Sequence, residues 1–547
     1  MGYYKDMMWR KNERRVSTFV KIYYRPFLVL FALNILALVT LLRDNFSFTD
    51  DLYRAIYGDA WSGDFNRYAS SALSYLLHQS FRLFDISPIP QIVAMGIMAT
   101  TSMMLVKLLV GEPRSLKKSV WPLLMASLIT LSPFMMNAWM YKFDAPCMAL
   151  AIFVSVLPYT LCWGKIKWAE IRDGNGWALG KFILQLLVIL TCVMVMWMSF
   201  QAACGIFLAV GLTLVIKDRI EKRPRNYCQT IVFIGAYLAS SVLAYLLVKD
   251  GSYYRNITTF APAEMLSGVM SNLSLILQCM LDSLTVWWGI LIAAIVILMM
   301  VLVSGRKADW HKGALMLIYL GVILVVAIGP YLTLEEFPVN GRSMLGGCWA
   351  LMLFLLLGWS QLVRVKRQRK WLICVPVVVL LYGFMTFAWS FGNALASQYE
   401  HDTMRVTMIT QDLAEIYPTA EDFSERAFRI TGSVGLSAVM TEHFRVFPAA
   451  KYVFFIAQEG VNSDALGHYR LFDYSDINTD WVTDWFDADY DCGTGEYETL
   501  RENYYYTIRE SVKEIKGKNL VCIDLSEEAR SSYYDAIRPI FSPILPK

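Results

Sequence analysis

The sequence predicts a polytopic α-helical membrane protein that ends in a small α/β domain outside the bilayer. Three observations lead there. The chain of 547 residues is 56% hydrophobic, with a mean hydropathy of +0.42. Charged residues make up only 18%, and they fall in islands between apolar runs long enough to cross a hydrocarbon core of about 30 Å. Beyond residue 400 the pattern changes: 401–547 hold 14 Lys/Arg against 25 Asp/Glu, although the whole chain carries a net charge of +4.

Apolar runs place spans near 26–42, 90–110, 120–136, 145–161, 182–198, 201–216, 227–248, 283–303, 314–332, 344–362 and 372–392. That is about 11 spans. Residues 182–216 are short for two full crossings, so the alternative is 9 spans plus one re-entrant hairpin. The division that follows is a multispan domain over 1–392 and a C-terminal domain over 393–547. In the latter, β-like runs at Phe428 to Ile430, Lys451 to Ala457 and Asn519 to Asp524 alternate with amphipathic stretches, which is the pattern of a small α/β domain.

Charge sets the orientation. The N-terminal tail carries seven Lys/Arg, and together with alternate loops at 111–119, 162–181, 217–226, 304–313 and 363–371 it brings 27 to one side. The opposite loops at 43–89, 132–146, 199–204, 249–282 and 333–343 carry 8. The basic side is expected to be cytoplasmic, with the N-terminus inside and residues 393–547 emerging outside. The first apolar run follows a long basic tail and has no small-residue cleavage site, so it reads as a signal anchor. An acidic exported domain argues against a nucleic-acid partner. Cys492 and Cys522 are the only thiol pair in that domain; in an oxidising compartment they are either a disulfide or two free thiols. Its Trp481, Trp485 and Tyr504-Tyr505-Tyr506 are candidates for stacking on sugar rings, with core packing as the alternative.

The first outer loop, 43–89, is too long for a simple turn. Over 67–84, Leu73, Leu76, Leu77, Phe81 and Phe84 share one helical face, opposite Ser71, Ser74, His78 and Arg82. A helix of that kind is expected to lie in the membrane interface. Ahead of it stand Asp50, Asp51, Arg54, Gly58, Asp59, Trp61 and Arg67. Two adjacent carboxylates repel, which raises the pKa of one and suits it to proton transfer. The alternative is that they cap a loop helix.

The second outer loop contains Asn137-Ala138-Trp139-Met140-Tyr141-Lys142-Phe143-Asp144. A Lys and an Asp at membrane depth are costly unless paired or functional, and at i, i+2 they do not face each other on a helix. Lys142 is a candidate to hold a donor phosphate or to neutralise an acid of the first loop. Asp144 is equally placed to N-cap the next span. Arg342 opens the tenth span from the outer side; its planar fork suits a phosphodiester, and Glu335 or Glu336 would be its salt-bridge alternative. Asp59, Trp61, Arg67, Asn137, Tyr141 and Asp144 are read as substrate or loop support. No His or Cys spacing suggests a metal site, and no cofactor is required, although two carboxylates are able to hold a divalent ion.

Thr49-Asp50-Asp51-Leu52-Tyr53-Arg54, then Tyr57-Gly58 and Trp61, then Asp85-Ile86-Ser87-Pro88-Ile89-Pro90-Gln91, resemble the serotype-converting O-antigen glucosyltransferases carried by bacterial prophages. The Asn137–Asp144 segment fits the same family. Motifs cover about the first 160 residues, and architecture covers the rest. The resemblance implies a C-type glycosyltransferase fold. It implies undecaprenyl-phosphate-glucose as lipid donor and lipopolysaccharide O-antigen as acceptor. It also implies that an acid at the start of the first outer loop is the base, which Asp50 and Asp51 both match. The absence of an Asp-x-Asp or GxGxxG nucleotide-sugar motif agrees with a lipid donor.

The chemistry fits that implication. Inverting displacement at an anomeric carbon needs a base for the attacking hydroxyl and passes through an oxocarbenium-like state. A phosphate leaves without an acid if cations hold its growing charge, and Arg54, Lys142 and Arg342 are the candidates. The rival classes are a lipid-linked sugar flippase or transporter, an O-antigen polymerase, and an assembly protein. Transporters usually show internal repeats and polar residues within spans, and neither is evident here.

Overall fold

The computed structural model describes residues 2–43, 46–48, 51–60, 66–113, 115–223, 227–248, 258–305, 310–365, 368–419, 421–422, 425–431, 435–454, 480–481, 492, 496–503, 505–514 and 518–525. Helix α1 spans Gly2–Arg43, α2 Asp51–Tyr57 and α3 Tyr68–His78. Then come α4 Ile89–Leu109, α5 Leu116–Leu131, α6 Met136–Trp139, α7 Ala145–Cys162, α8 Gly176–Trp197 and α9 Cys204–Ile220. The bundle continues with α10 Tyr227–Val248, α11 Met265–Asp282, α12 Val286–Ser304, α13 Trp310–Ile328, α14 Leu345–Arg364 and α15 Cys374–Ile416. Among the described residues ten helices are long and apolar enough to cross a membrane, or eleven if the bent pair formed by α5 and the turns at Pro133–Trp139 is one span. The chain is a multi-pass membrane protein.

Residues 182–216 form two separate helices, α8 of 22 residues and α9 of 17. At 1.5 Å per residue, α8 is about 33 Å long, enough to cross the core by itself. Its start at Gly176, capped by Asn175 through the N–H groups of Trp177 and Ala178, supplies the length that the apolar run alone lacked.

The segment 249–282, read as a loop, contains an 18-residue helix, α11, that passes the same length and hydropathy test. Its contacts show that it lies along the face of the bundle where the first loop sits. Asn272 donates to the carbonyls of Leu332 and Leu334, the Cys279 thiol meets the Tyr452 hydroxyl, and Met280 packs beside Gly347. All of these groups sit at span ends or loops on one face, hereafter the site face. Gly268, Asn272, Ile276 and Cys279 form the buried stripe, while Leu266, Met270 and Leu281 point outward.

Helix α3 shows the same sidedness. Ser70, Ser71, Ser74 and His78 are its buried residues, and Leu76 and, just beyond it, Phe81 are exposed. The polar face packs on protein and the apolar face is turned outward, the arrangement expected where the surroundings are lipid. The helix stops at His78, short of the expected 84, because Gln79 takes a left-handed conformation.

Helix α5 ends at Leu131, and the chain bends by 48° into the turns that follow. Ser132 accepts from the Phe134 N–H and stops the helix. The supposed second loop is therefore no surface loop: every residue from Ser132 to Cys147 is buried.

Helix α15 is 43 residues long, about 64 Å, and the boundary expected between 392 and 393 falls within it. Its first half packs on α1, where Gly392 abuts Thr40 and Leu41. Its second half supplies Val406, Ile409 and Leu413 to a separate core with Phe428, Ile508, Val521 and Ile523. That core belongs to a five-stranded mixed sheet in the order β2-β1-β5-β4-β3, made of β1 Arg426–Thr431, β2 Asp480–Trp481, β3 Tyr497–Glu502, β4 Tyr506–Ser511 and β5 Asn519–Leu525. β1 runs parallel to β2 and β5, while β4 is antiparallel to both β5 and β3. Cys492 and Cys522 are disulfide-bonded. Of the β-like run Lys451 to Ala457, residues 455–457 lie outside the described residues and the start is a correction: Ala450–Val453 is a helical turn, α17, which follows α16 at Ala438–Val446. Met440, Phe444, Tyr452 and Phe454 bury themselves in the membrane-bundle core, not in the sheet. Burial against helices overrides the β propensity of Tyr452-Val453-Phe454.

Candidate functional site

The site forms where the first loop meets the buried 132–147 segment. Helix α2 begins with a reciprocal cap: the Asp51 N–H donates to the Phe48 carbonyl, and the Phe48 N–H donates back to Asp51 Oδ2 at 3.0 Å. The helix ends at Gly58, whose φ of +76° and close contact with the Arg82 side chain leave no room for a Cβ. The capping alternative for the acidic pair is thus realised at Asp51, but the same carboxylate does more. It also accepts from the backbone N–H of Lys142, at 3.1 Å to Oδ1 and 3.2 Å to Oδ2.

Asp51 is 1% exposed. Burial pushes its carboxyl up to about 7, while the N–H groups of Phe48 and Lys142 and the charges of Lys142 and Arg54 pull the other way. A group titrating there is matched to proton transfer at neutral pH. Thr49, Asp50 and Trp61 lie outside the described residues.

The Lys142 side chain bonds to a second acid of the first loop. Its Nζ donates to Asp85 Oδ2 at 3.0 Å and to Ser47 Oγ at 3.2 Å. Asp85 is half-buried, which raises its pKa, but bonds from the Ser87 hydroxyl and N–H, together with Lys142, bring it below the usual carboxylate range. Sequence reasoning assigned Asp85 no role. The signal available was a lone acid just before a span, in the same loop as the acidic pair.

Arg54 and Asp144 form a buried ion pair at 2.6 Å, with side chains 6% and 12% exposed. Of the two readings of Asp144, the N-cap is not realised by its side chain: it occupies the N-cap position of α7, yet makes no capping bond and reaches Arg54 instead. Its carboxylate therefore already balances the Arg54 charge. Arg342 lies over the Tyr141 ring, 5.4 Å from its centroid. Among the described residues it makes no ion pair, and Glu335 and Glu336 are exposed. Tyr141 in turn meets Phe48 edge-on, with centroids 5.0 Å apart.

The supporting residues divide. Asn137 is buried and donates to the Val453 carbonyl at 2.7 Å. Arg67 starts α3, its carbonyl accepting from the Ser71 N–H. Asp59 is exposed. His78, also without an assigned role, stacks on Phe143 at 5.8 Å while its Nδ1–H donates to the Ser74 carbonyl. Asp51 is thus bonded to Lys142, and Arg342 lies over Tyr141, the residue before Lys142. Among the described residues no group of three or more His, Cys, Asp or Glu stands at metal-holding distance.

The family model described as Glucosyl transferase GtrII matches residues 39–344. No curated protein and no solved structure matches the chain.

Proposed function

The chain belongs to the Glucosyl transferase GtrII family, and from that premise we propose a specific reaction for it. It moves glucose from undecaprenyl-phosphate-glucose to lipopolysaccharide O-antigen with inversion, on the periplasmic side of the bacterial inner membrane, and so changes serotype. A C-type glycosyltransferase fold is part of the same proposal.

The observation that carries it is the bonding of buried Asp51 to the Lys142 backbone, with Arg342 lying over Tyr141, the neighbour of Lys142. A carboxylate of the Asp50/Asp51 pair takes the proton from an acceptor hydroxyl. The freed oxygen attacks the anomeric carbon from the face opposite the phosphate. The bond from that carbon to the phosphate oxygen breaks, and its electron pair leaves with the polyprenyl phosphate. Arg342 and Lys142 stabilise that growing charge. The burial that raises the Asp51 pKa supports its proton-accepting role, and the bonds it accepts from two loops support a positioning role toward Asp50. Arg342 is the cation whose charge is best available, since Arg54 is matched by Asp144 and Lys142 by Asp85. The outward apolar faces of α3 and α11 support a donor that arrives through the lipid.

The test is transfer of label from radiolabelled undecaprenyl-phosphate-glucose to O-antigen by the full chain in membranes. Transfer is expected. Movement of the intact lipid across the bilayer without transfer would establish the flippase reading instead.

A further inference from the structure

We propose that Tyr452–Phe454, in the C-terminal part of the chain, is a strap that sets the geometry of the transferase site, with Phe454 and Asn137 as its positioning residues. This deepens the glucosyltransferase reading and rests on it. Three consecutive residues of the strap each hold a different loop of the site. The Tyr452 carbonyl accepts from the Gly341 N–H at 2.7 Å, one residue before Arg342. The Val453 carbonyl accepts from Asn137 Nδ2 at 2.7 Å, in the buried segment that leads to Lys142. The Phe454 ring packs against Phe46 and Phe48, with centroids 6.0 and 6.3 Å apart, and the Phe48 N–H is one of the donors to Asp51.

These contacts are more than a domain resting on its neighbour. Gly341 cannot carry a side chain here, because a Cβ would stand 2.9 Å from the Phe134 carbonyl and 3.0 Å from Asn137 Cβ. The Arg342 and Lys142 loops are therefore packed against each other, with the strap bonded to both. The strap is itself fixed: Phe444 packs on Phe454, Tyr452 reaches Cys279 of α11, and Ala450, Tyr452 and Val453 are all buried. A shift of the strap would move the acid and the two cations relative to one another, and misplacements near 1 Å cost up to about 100-fold in rate.

The experiment compares wild type, Phe454→Ala, Phe454→Tyr and Asn137→Ala as full chains in membranes. Initial rates of glucosyl transfer are measured against donor concentration, with thermal melting alongside. Phe454→Ala and Asn137→Ala are expected to lower kcat roughly 10- to 100-fold with little change in donor KM, and Phe454→Tyr is expected to restore most of the rate. Wild-type kcat in a folded Phe454→Ala chain would overturn the inference. If that variant does not accumulate, Phe454→Leu decides: lowered kcat in the folded chain supports the strap, and wild-type kcat overturns it. A wild-type chain that transfers no glucose refutes the transferase reading itself, a result distinct from active variants beside an active wild type.

Discussion

The backbone N–H of Lys142 donates to both oxygens of Asp51, while the Lys142 side chain bonds to Asp85. One residue therefore ties two acids of the first loop to the buried segment, through two chemically different bonds. The backbone bonds fix where the Asp51 carboxylate sits and do not require it to be charged. The ammonium needs a charged partner at Asp85, whose carboxyl is held below the usual range. The site thus contains one acid poised to exchange a proton and one committed to its charge.

Asp50→Asn and Asp51→Asn separate the members of the acidic pair. Loss of a general base typically lowers the rate 10²- to 10⁴-fold. Asp51→Asn retains one oxygen for the Phe48 and Lys142 N–H groups, so the chain is expected to fold while turnover falls. If both variants express normally and transfer glucose at near wild-type rate, the acidic pair has no part in the chemistry.

The Asp51 carboxyl, raised to about 7, gives pH effects of opposite sign on rate and stability. As a base it acts only when deprotonated, so kcat is expected to rise with pH to a plateau, with a midpoint near 7. Its folded pKa lies above the unfolded value, so the fold favours the protonated form. That contribution is complete below about pH 4 and is lost as the pH climbs through 7. Melting temperature should therefore decline from about pH 4 to 7 and level off above it, while the rate rises around 7. Asp51→Asn should flatten that decline. A kcat midpoint near 4 would point to an ordinary carboxylate as the base.

Sequence alone showed the bundle, the family and the residues that converge, because each leaves a local trace: an apolar run, a charge island, a motif. Most of the residues singled out lie in or beside the site, Asp51, Arg54, Asn137, Tyr141, Lys142, Asp144 and Arg342 among them. Their pairing was not legible. Arg54 and Asp144 are ninety positions apart, and nothing in either motif specifies that they neutralise each other. The strap was misread for a related reason. Lys451-Tyr452-Val453-Phe454 has the composition of a strand, and only the presence of Asn137, Gly341 and Phe48 beside it explains why it is a helical turn. Helix α11 was read as loop because its apolar residues are spaced to cover a surface and give a modest mean hydropathy of 1.3.

The Arg54–Asp144 pair is expected to be structural. Removing one partner of a buried ion pair leaves an uncompensated charge and typically costs about 3–5 kcal/mol, whereas an apolar pair of similar volume is often neutral. Arg54→Met and Asp144→Leu should each lower melting temperature and yield, and the double variant should recover most of the loss. Failure of the double variant to recover stability, with turnover lost independently in Arg54→Met, would move Arg54 back among the donor-binding cations.

The proposed orientation, with the C-terminal domain in the periplasm, rests on the bias of 27 Lys/Arg on one side against 8 on the other and is supported by the Cys492–Cys522 disulfide, a bond suited to an oxidising compartment. A reporter active only in the periplasm, fused after Lys547, is expected to be active. Activity of a cytoplasm-only reporter at the same position would invert the topology and put the site on the wrong side for O-antigen.

Arg342 and Lys142 make different predictions because their surroundings differ. Arg342 stacks on Tyr141 and has no ion pair among the described residues, so Arg342→Met leaves no buried acid behind. It should lower turnover, through the lost hold on the leaving phosphate, with melting temperature nearly unchanged. Arg342→Lys should recover only part of the rate, since an ammonium keeps the charge but not the planar fork. Lys142→Met leaves Asp85 without its cation, so both turnover and melting temperature should fall, and adding Asp85→Asn should restore stability while turnover stays low. Measuring polyprenyl-phosphate-glucose turnover and melting across these four variants separates phosphate binding from ion pairing. Normal turnover in Arg342→Met would remove the strongest donor contact. Restored turnover in the Lys142→Met, Asp85→Asn chain would make Lys142 a counter-ion and nothing more.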